Sequence, residues 1–198
     1  EWQHGKFHQK QYWDLSFATT TQASEEELSY QLRELIDDAV RIRMISDVPL
    51  GAFLSGGVDS SAVVASMAKQ SQQAVKTCAI GFDSERFDEV KYAKQVAEQF
   101  NTEHYEFTVR ANVTERFLKI SRFFDEPFAD PSFVPTFFVA ELARQTVTVA
   151  LAGDGGDESF AGYEKYLTDD IEQRLRSKVP KSLRSVTPLL AGLAAKLP

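Results

Sequence analysis

Seven residues at 55–61, Ser-Gly-Gly-Val-Asp-Ser-Ser, constrain the fold of this 198-residue chain more than any other feature. An apolar run at 48–54 precedes them and a helical pattern at 62–69 follows, which predicts a strand, a glycine turn and a helix start. Backbone N–H groups at a helix N-terminus, together with the helix dipole, attract anions. The two glycines would let the backbone approach such an anion closely, because they carry no Cβ. The segment therefore predicts a phosphate-binding loop.

The side chains of this loop add hydroxyl donors and one carboxylate. Ser55, Ser60 and Ser61 offer donors, whereas Asp59 would be repelled by a phosphate unless a divalent cation lay between them. The spacing differs from both common nucleotide loops, GxGxxG and GxxxxGK followed by Ser or Thr. A glycine turn capped by Asp59, with no ligand, is the alternative interpretation of the same residues.

A second strand-and-glycine segment lies near residue 150. The β-branched run at 147–151 predicts a strand, and it leads into Ala-Gly-Asp-Gly-Gly-Asp-Glu at 152–158. Crowded carboxylates repel one another unless a cation or a proton intervenes. Both loops would leave a parallel sheet at the carboxyl ends of its strands, where ligands bind, so Asp59 and Asp157 could share a divalent cation on a bound phosphate group. A solvated acidic loop is the alternative here.

Three motifs in this order resemble one known family. They are the loop at 55–61, Asp-Glu-Pro-Phe-Ala-Asp-Pro-Ser at 125–132, and Leu-Ala-Gly-Asp-Gly-Gly-Asp-Glu-Ser-Phe-Ala-Gly-Tyr at 151–163. Together they look like the synthetase domain of class II glutamine-dependent asparagine synthetases, over a stretch from about Trp13 to about Tyr166. The resemblance implies an α/β fold of the PP-loop ATP pyrophosphatase, adenine nucleotide alpha-hydrolase-like type, with a parallel twisted sheet flanked by helices. Amidotransferases of other substrates and β-lactam synthetases share these motifs, which makes them less specific for the substrate.

The resemblance assigns ATP to the two glycine loops. It implies that the loop at 55–61 holds the β and γ phosphates and that Asp59 and Asp157 ligate Mg²⁺, so ATP and Mg²⁺ are the expected cofactors. Backbone around Phe53, Ile80, Ala152 and Gly153 would surround adenine and ribose. The implied ATP-binding residues are Phe53, Ser55, Gly56, Gly57, Asp59, Ser60, Ser61, Ile80, Ala152 and Gly153.

The resemblance also assigns a catalytic residue and an acceptor pocket. Asp154 stands where similar synthetases carry an acidic residue, often Glu, that is needed to form the acyl-adenylate and receive ammonia, and the shorter Asp is a departure from that pattern. Glu126 and Asp130 are expected to line the acceptor pocket, with a surface turn as the alternative for this proline-rich acidic segment. The segment lacks the Arg that asparagine synthetases carry near Pro131 to hold the aspartate carboxylate.

The implied reaction is ATP-dependent amidation. A small acid, with aspartate the expected acceptor, is adenylated with release of PPi, and ammonia from a glutaminase domain then gives the amide (asparagine) and AMP. Another acid acceptor or a ring-closing synthetase stays open as an alternative, as does a nucleotide-binding regulatory module without turnover. The presence of Asp59, Asp154 and Asp157 argues against the regulatory module. Family members often dimerise, so a homodimer is a further expectation.

The resemblance divides the chain into three parts. Residues 1–23 are expected to end a preceding glutaminase domain or linker, 24–178 to form the ATP pyrophosphatase synthetase domain, and 179–198 to begin a C-terminal helical part. The family's glutaminase begins with a catalytic Cys, and its synthetase uses a Lys further downstream, so we expect a fragment that lacks full turnover. The single cysteine, Cys78, lies in an apolar run and is interpreted as a small buried hydrophobe.

Composition and charge argue against several other classes. The net charge is −7 and no Lys/Arg cluster is present, so a nucleic-acid-binding face is not expected. No apolar run reaches the roughly 18 residues of a membrane span. His4, His8 and His104 are scattered without the spacing of metal ligands, which argues against a zinc site. A single cysteine and ATP chemistry favour the reducing cytoplasm.

The alternation of helical and strand patterns predicts a parallel sheet with helices on both faces. Ser24 and Glu27 form a predicted capping box, while Asp37 and Asp38 are interpreted as solvated charges on the helix that follows. Strands are predicted at 48–54, 75–82, 102–109 and 147–151, the third of them at a sheet edge, and a helix is predicted at 137–145.

Overall fold

The computed structural model describes residues 1–14, 16, 21–82, 90–109, 113–126 and 128–178. After a short antiparallel hairpin, helices alternate with the strands of a larger sheet. In chain order the elements are β1 (Trp2–Gln3), β2 (Lys6–Phe7), α1 (Glu25–Arg43), β3 (Leu50–Phe53), α2 (Val58–Gln70), β4 (Lys76–Phe82), α3 (Val90–Gln99), β5 (Glu103–Val109), α4 (Val113–Ser121), α5 (Phe133–Ala143), β6 (Val149–Leu151), α6 (Gly156–Phe160) and α7 (Glu164–Lys178). The predicted helical part at 179–198 lies outside the described residues.

The larger sheet has four parallel strands in the order β5-β4-β3-β6. The chain therefore runs outward from β3 to β5 and then returns to add β6 on the other side of β3. Each strand lies within the range predicted for it from the sequence, and β5 is at an edge of the described sheet, as predicted. The predicted α/β class, a parallel sheet flanked by helices, is confirmed.

Both faces of the two central strands are buried, because successive side chains of a strand point to opposite faces. Phe53 of β3 and Cys78 of β4 pack on one face, together with Ala143 of α5. The other face is covered by α1, α2 and α3. Its buried cluster consists of Val40, Ala52, Leu54, Val64, Met67, Val75, Ala79, Ala93 and Ala97.

Helix α1 begins at the capping box predicted from the sequence. Ser24 Oγ accepts a hydrogen bond from the Glu27 N–H at 3.2 Å, and the Glu27 carboxylate accepts one from the Ser24 N–H at 2.8 Å. The Ser24 N–H, followed by the Ser24 hydroxyl, holds the pKa of Glu27 below its ordinary value. Two of the first N–H groups of the helix end are satisfied in this way, which fixes the start of α1.

The prediction that Asp37 is a solvated charge is wrong. Its carboxylate accepts hydrogen bonds from Ser66 Oγ at 2.6 Å and Lys69 Nζ at 2.5 Å, both on α2. These two groups, the ammonium first, lower the pKa of Asp37. Asp38, in contrast, pairs with Arg41 on the surface, as predicted for a solvated charge. The helical period does not distinguish the two neighbours, because it does not reveal which helix packs beside them.

Helix α5 begins at Phe133, before the predicted start at 137. Pro135 lies in the first turn of the helix, where backbone N–H groups have no partner within the helix, so the missing proline N–H costs nothing there. The prolines of this segment therefore do not delay the helix to 137. Although α5 is apolar, neither it nor any other helix of the described chain has both the length and the apolarity needed to cross a bilayer.

Candidate functional site

The carboxyl ends of β3 and β6 form the centre of the candidate site. β6 lies on the side of β3 opposite to β4, so the strand order reverses between β3 and β6. Loops that leave neighbouring strands at such a point diverge and open a crevice, which is where ligands bind in open α/β sheets. The first loop is taken here as residues 54–61, which include the first turn of α2, and the second loop as residues 152–158. Together they contain most of the residues predicted to bind ATP.

The loop after β3 is held in shape by its own hydrogen bonds. Ser55 Oγ lies 2.9 Å from Ser60 Oγ and accepts a hydrogen bond from the Gly57 N–H at 3.2 Å. Ser60 Oγ also accepts from the Ser55 N–H and donates to the Gly57 carbonyl, each at 3.3 Å. These bonds link both ends of the loop to the first turn of α2, so the loop needs no ligand to fix its shape.

Helix α2 directs its N-terminus into the crevice. Gly57 is the N-cap residue, and no side chain caps the first turn. Asp59 lies within that first turn, so the alternative interpretation, a turn capped by Asp59, is wrong. Ser61 Oγ is buried and has no hydrogen-bond partner among the described residues. A buried hydroxyl without a partner is costly, which makes this one a candidate for a ligand contact.

Gly56 fits the loop against the start of α3. Its φ is +83°, in the left-handed region, and a Cβ placed there would lie 2.5 Å from the backbone nitrogen of Ala93 and from Tyr92 Cβ. Only glycine satisfies both conditions. The contribution of α3 to the site was not predicted, since the sequence carries no local signal for this contact.

The two loops touch each other through a pair of glycines. A Cβ on Gly153 would lie 2.8 Å from the Ser60 N–H nitrogen and 2.9 Å from Asp59 Cβ, so this backbone packs on the first turn of α2. Gly156 lies against the Asp59 carboxylate itself, where a Cβ would overlap the carboxyl carbon and both oxygens. The structure therefore brings Asp59 of the first loop into contact with the acidic second loop.

Asp154 and Asp157 of the second loop occupy different positions. Asp154 is exposed at the tip of a turn that is closed by a hydrogen bond from the Gly156 N–H to the Gly153 carbonyl at 3.3 Å. Asp157 is half-buried on α6, and its carboxylate lies against Gly162. Among the described residues, no group of three or more His, Cys, Asp or Glu side chains is arranged to hold a metal ion.

A cavity of about 900 Å³ opens beside the first loop. Phe53, Ser55 and Ile80 line one side of it, and Asp130 and Thr136 lie on the other. The structure thus brings three of the predicted ATP-binding residues and one predicted acceptor residue to a single cavity. The wall formed by α5 was not predicted, because the sequence placed the start of that helix too late.

Asp130 and Glu126 do not share a cavity. Asp130 accepts a hydrogen bond from the Ser132 N–H at 2.9 Å, and this bond lowers the pKa of the Asp130 carboxyl. Glu126 lines a separate cavity of about 400 Å³, whose walls include Phe117 and Phe124. Of the two residues predicted for the acceptor pocket, only Asp130 shares a cavity with residues predicted to bind ATP.

Cys78 lies at the inner wall of the larger cavity. It is 1% exposed, and its sulfur lies 3.8 Å from Thr146 Oγ1. Burial raises the pKa of the thiol, which keeps it protonated and a poor nucleophile. The prediction that Cys78 is a small buried hydrophobe is confirmed.

Comparison with known proteins identifies related sequences. The family model for asparagine synthase matches residues 31–197. A protein of Methanocaldococcus jannaschii, provisionally named glutamine-hydrolyzing asparagine synthetase 2, is 46% identical over 156 residues, which are 78% of this chain and 30% of that protein. The glutamine-hydrolyzing asparagine synthetase 1 of Bacillus subtilis is 38% identical over 190 residues, which are 96% of this chain and 29% of that protein. The chain therefore spans less than a third of the length of either relative.

A more distant relative is not named as an asparagine synthetase. Amidase chry2 of Gibberella zeae is 28% identical over 184 residues, which cover 83% of this chain and 27% of that protein. This chain is therefore similar to proteins that are named for different reactions.

Proposed function

This chain belongs to the asparagine synthase family, and we propose that it is the synthetase part of a glutamine-dependent amidotransferase, the part that uses ATP to activate a carboxylate. The contact between Asp59 and Gly156 is the observation that carries this proposal. It joins a phosphate-type loop and an acidic loop at one crevice, which is the arrangement that ATP with a divalent cation requires. The contact places the Asp59 carboxylate beside the residue that precedes Asp157 in the second loop.

The first loop binds the pyrophosphate part of ATP in this proposal. The N-terminus of α2 offers backbone N–H groups and the positive end of the helix dipole. The bonds between Ser55 and Ser60 hold the loop ready, and Ser61 Oγ gains in a phosphate oxygen the partner that it otherwise lacks. Phe53 and Ile80 bound the neighbouring cavity, which suits adenine and ribose.

Asp59 and Asp157 are the residues that would hold Mg²⁺. Mg²⁺ in nucleotide sites is bound by one or two carboxylates together with phosphate oxygens, so two protein acids suffice and no larger acidic cluster is needed. When bound, the ion neutralises charge on the phosphates. The half-buried positions of both carboxylates, each against a glycine, fit this role.

The acceptor acid enters beside Asp130, and its carboxylate attacks the α-phosphorus of ATP in line, releasing PPi and leaving an acyl-adenylate. Ammonia from a glutaminase domain then attacks the acyl carbon, and AMP leaves as the amide forms. The exposed Asp154 at the crevice would bind the incoming ammonia. Positioning by the two loops supplies most of the rate enhancement. We propose aspartate as the acceptor and the cytoplasm as the location.

Another acid acceptor is the second candidate. The relative named Amidase chry2 favours it, since its name does not include asparagine. Exchange of labelled pyrophosphate into ATP, measured with a panel of acids on the full-length enzyme, separates the two candidates. Exchange that requires aspartate supports asparagine formation, and exchange that requires a different acid supports the second candidate. Formation of ADP and phosphate would exclude adenylation altogether.

Binding of ATP by this chain is the direct test of the proposed site. We expect calorimetric titration to show ATP binding that Mg²⁺ strengthens, and we expect this strengthening to be lost in Asp59→Ala. Asp38→Ala is the matched control, because Asp38 is a surface carboxylate on α1 that pairs with Arg41. Equal binding by both variants would contradict the proposal.

A further inference from the structure

A short hydrogen bond joins α6 to the segment that follows it, and the proposed reaction assigns no role to this bond. Tyr163 Oη donates to a carboxylate oxygen of Glu158 at 2.6 Å, joining α6 to the residue just before α7. Lys165 Nζ lies over the ring of Tyr163, 4.7 Å from its centroid, and covers that ring from the side of α7. We refer to the Glu158–Tyr163 pair as the clasp.

The clasp closes a turn whose backbone is strained. Ala161, which ends α6, has a φ of +58°, in the left-handed region that residues with a Cβ rarely adopt. The Gly162 N–H donates to the Asp157 carbonyl at 3.0 Å. Such a turn persists only where its surroundings hold it, and the clasp spans it from Glu158 to Tyr163.

The turn places Gly162 directly on the Asp157 carboxylate. A Cβ at Gly162 would overlap Asp157 Oδ1, so the carboxylate rests against a glycine backbone. Tyr163 is the next residue along the chain, and any movement of Tyr163 carries Gly162 with it. The clasp therefore controls the surface against which Asp157 is packed.

We propose that Glu158 and Tyr163 are positioning residues for Asp157, and that their hydrogen bond keeps Gly162 against the Asp157 carboxylate and so fixes its orientation toward Mg²⁺. This inference rests on the proposed function, because it requires Asp157 to be a metal ligand. Groups of this kind, which hold a ligand rather than the metal, commonly change metal affinity by about 10–100-fold when they are removed.

Titration of Mg²⁺ into the ATP-saturated chain, followed by calorimetry, tests the clasp. Tyr163→Phe removes only the hydroxyl and is expected to weaken Mg²⁺ binding about tenfold. Tyr166→Phe is the matched control, since it removes a hydroxyl from the neighbouring ring, whose centroid is 5.9 Å away, and leaves the clasp intact. Gly162→Ala is expected to weaken Mg²⁺ binding at least as much as Tyr163→Phe.

Two further readouts separate positioning from a general structural role. ATP binding without metal is expected to be the same in Tyr163→Phe as in the wild type, and equal weakening with and without metal would overturn the proposal. Glu158→Gln keeps an acceptor oxygen and is expected to bind Mg²⁺ like the wild type, whereas Glu158→Ala should behave like Tyr163→Phe. A Gln variant as weak as the Ala variant would overturn the clasp in favour of a direct charge effect.

The wild-type chain and Tyr163→Phe distinguish failure of the clasp from failure of the proposed function. Metal-dependent ATP binding by the wild type, with Tyr163→Phe and Tyr166→Phe indistinguishable, would overturn the clasp alone. Absence of metal-dependent binding in the wild type would overturn the proposed function and the clasp with it.

Discussion

The loop after β3 holds its own shape, whereas the loop after β6 takes much of its shape from its neighbours. Ser55 and Ser60 tie the first loop together through their side chains. In the second loop, Gly156 lies against Asp59, and Asp157 lies against Gly162, so packing on other segments sets the positions of the acids. Both loops follow parallel strands and both are rich in glycine, yet they reach a fixed geometry by different means.

The difference matches the parts that the two loops have in the proposed site. Backbone N–H groups stabilise an anion most when they are oriented in advance, which a self-supporting loop provides. Carboxylates that share a metal must instead meet across two segments, and glycine makes that approach possible. We therefore expect substitutions in the first loop to lower mainly the stability of the fold. Substitutions in the second loop are expected to weaken mainly the Mg²⁺-dependent binding of ATP.

Gly56→Ala is expected to have the largest effect on stability. The left-handed backbone costs a residue with a Cβ about 1–2 kcal/mol, and the overlap with Tyr92 and Ala93 adds about 1–3 kcal/mol. We expect the free energy of unfolding, measured by urea denaturation, to fall by roughly 3 kcal/mol.

Gly57→Ala is the control for Gly56→Ala. Gly57 has a φ of −68°, and a Cβ there would meet only Ser55 Oγ, at 3.3 Å. We expect a loss of about 1 kcal/mol or less, as is usual for Ala at an N-cap. Equal losses in the two variants would mean that contact with α3 does not fix the first loop.

Gly156→Ala tests the second loop. Its Cβ would displace the Asp59 carboxylate, so we expect Mg²⁺-dependent ATP binding, measured by calorimetry, to weaken about tenfold or more. Gly155→Ala is the control, because Gly155 has a φ of +88° and no atom of the described residues lies within 4 Å of a Cβ placed there. That variant should lose about 1–2 kcal/mol of stability through strain and still bind the metal. Loss of Mg²⁺-dependent ATP binding in Gly155→Ala but not in Gly156→Ala would contradict the proposed role of the contact between Gly156 and Asp59.

Ser60→Ala and Ser61→Ala separate stability from binding within the first loop. Ser60 Oγ bonds to Ser55 and Gly57, so its removal should lower the free energy of unfolding by about 1 kcal/mol. Ser61 Oγ has no partner within the described part of the chain, so its removal should leave stability unchanged or raise it while weakening ATP binding. Thermal unfolding and calorimetry of both variants would show whether the two effects divide in this way.

The sequence predicted most of the sheet, because apolar runs bounded by glycine are local signals. The run at 48–54 contains β3, and the run at 147–151 contains β6. The rules for parallel connections predicted the class of the fold but not the order of its strands. The start of α5 was missed since Pro135 is compatible with a first helical turn, a condition that the proline alone does not reveal.

The sequence placed both glycine loops at one crevice, but it did not reveal the contacts that shape them. Nothing near Gly56 in the sequence points to Tyr92, and nothing near Asp157 points to the clasp at Glu158 and Tyr163 as its support. Glu126 lies close to Asp130 along the chain but lines another cavity. Spacing in sequence thus predicted which loops matter and left open which side chains meet.

The bonds between helix α2 and Asp37 of α1 lead to the prediction with the smallest expected effect. Helix α2 carries the first loop at its N-terminus, and near its C-terminal end Ser66 and Lys69 bind Asp37. The folded-state pKa of Asp37 is below its ordinary value of 3.8, so the bond's contribution to stability is complete above that pH and is lost as the pH falls through the lowered pKa. The pKa of Lys69 is raised, so the same contribution is complete below 10.5 and is lost as the pH rises past the raised value.

Asp37→Asn should therefore lower the Tm at neutral pH by less than Ser60→Ala does, and the difference from the wild type should shrink as the solution is acidified. Asp38→Asn is the matched control, because Asp38 pairs with Arg41 on its own helix. Thermal unfolding from neutral to acidic pH measures both variants. A Tm difference for Asp37→Asn that stays constant with pH would mean that charge on Asp37 does not anchor α2.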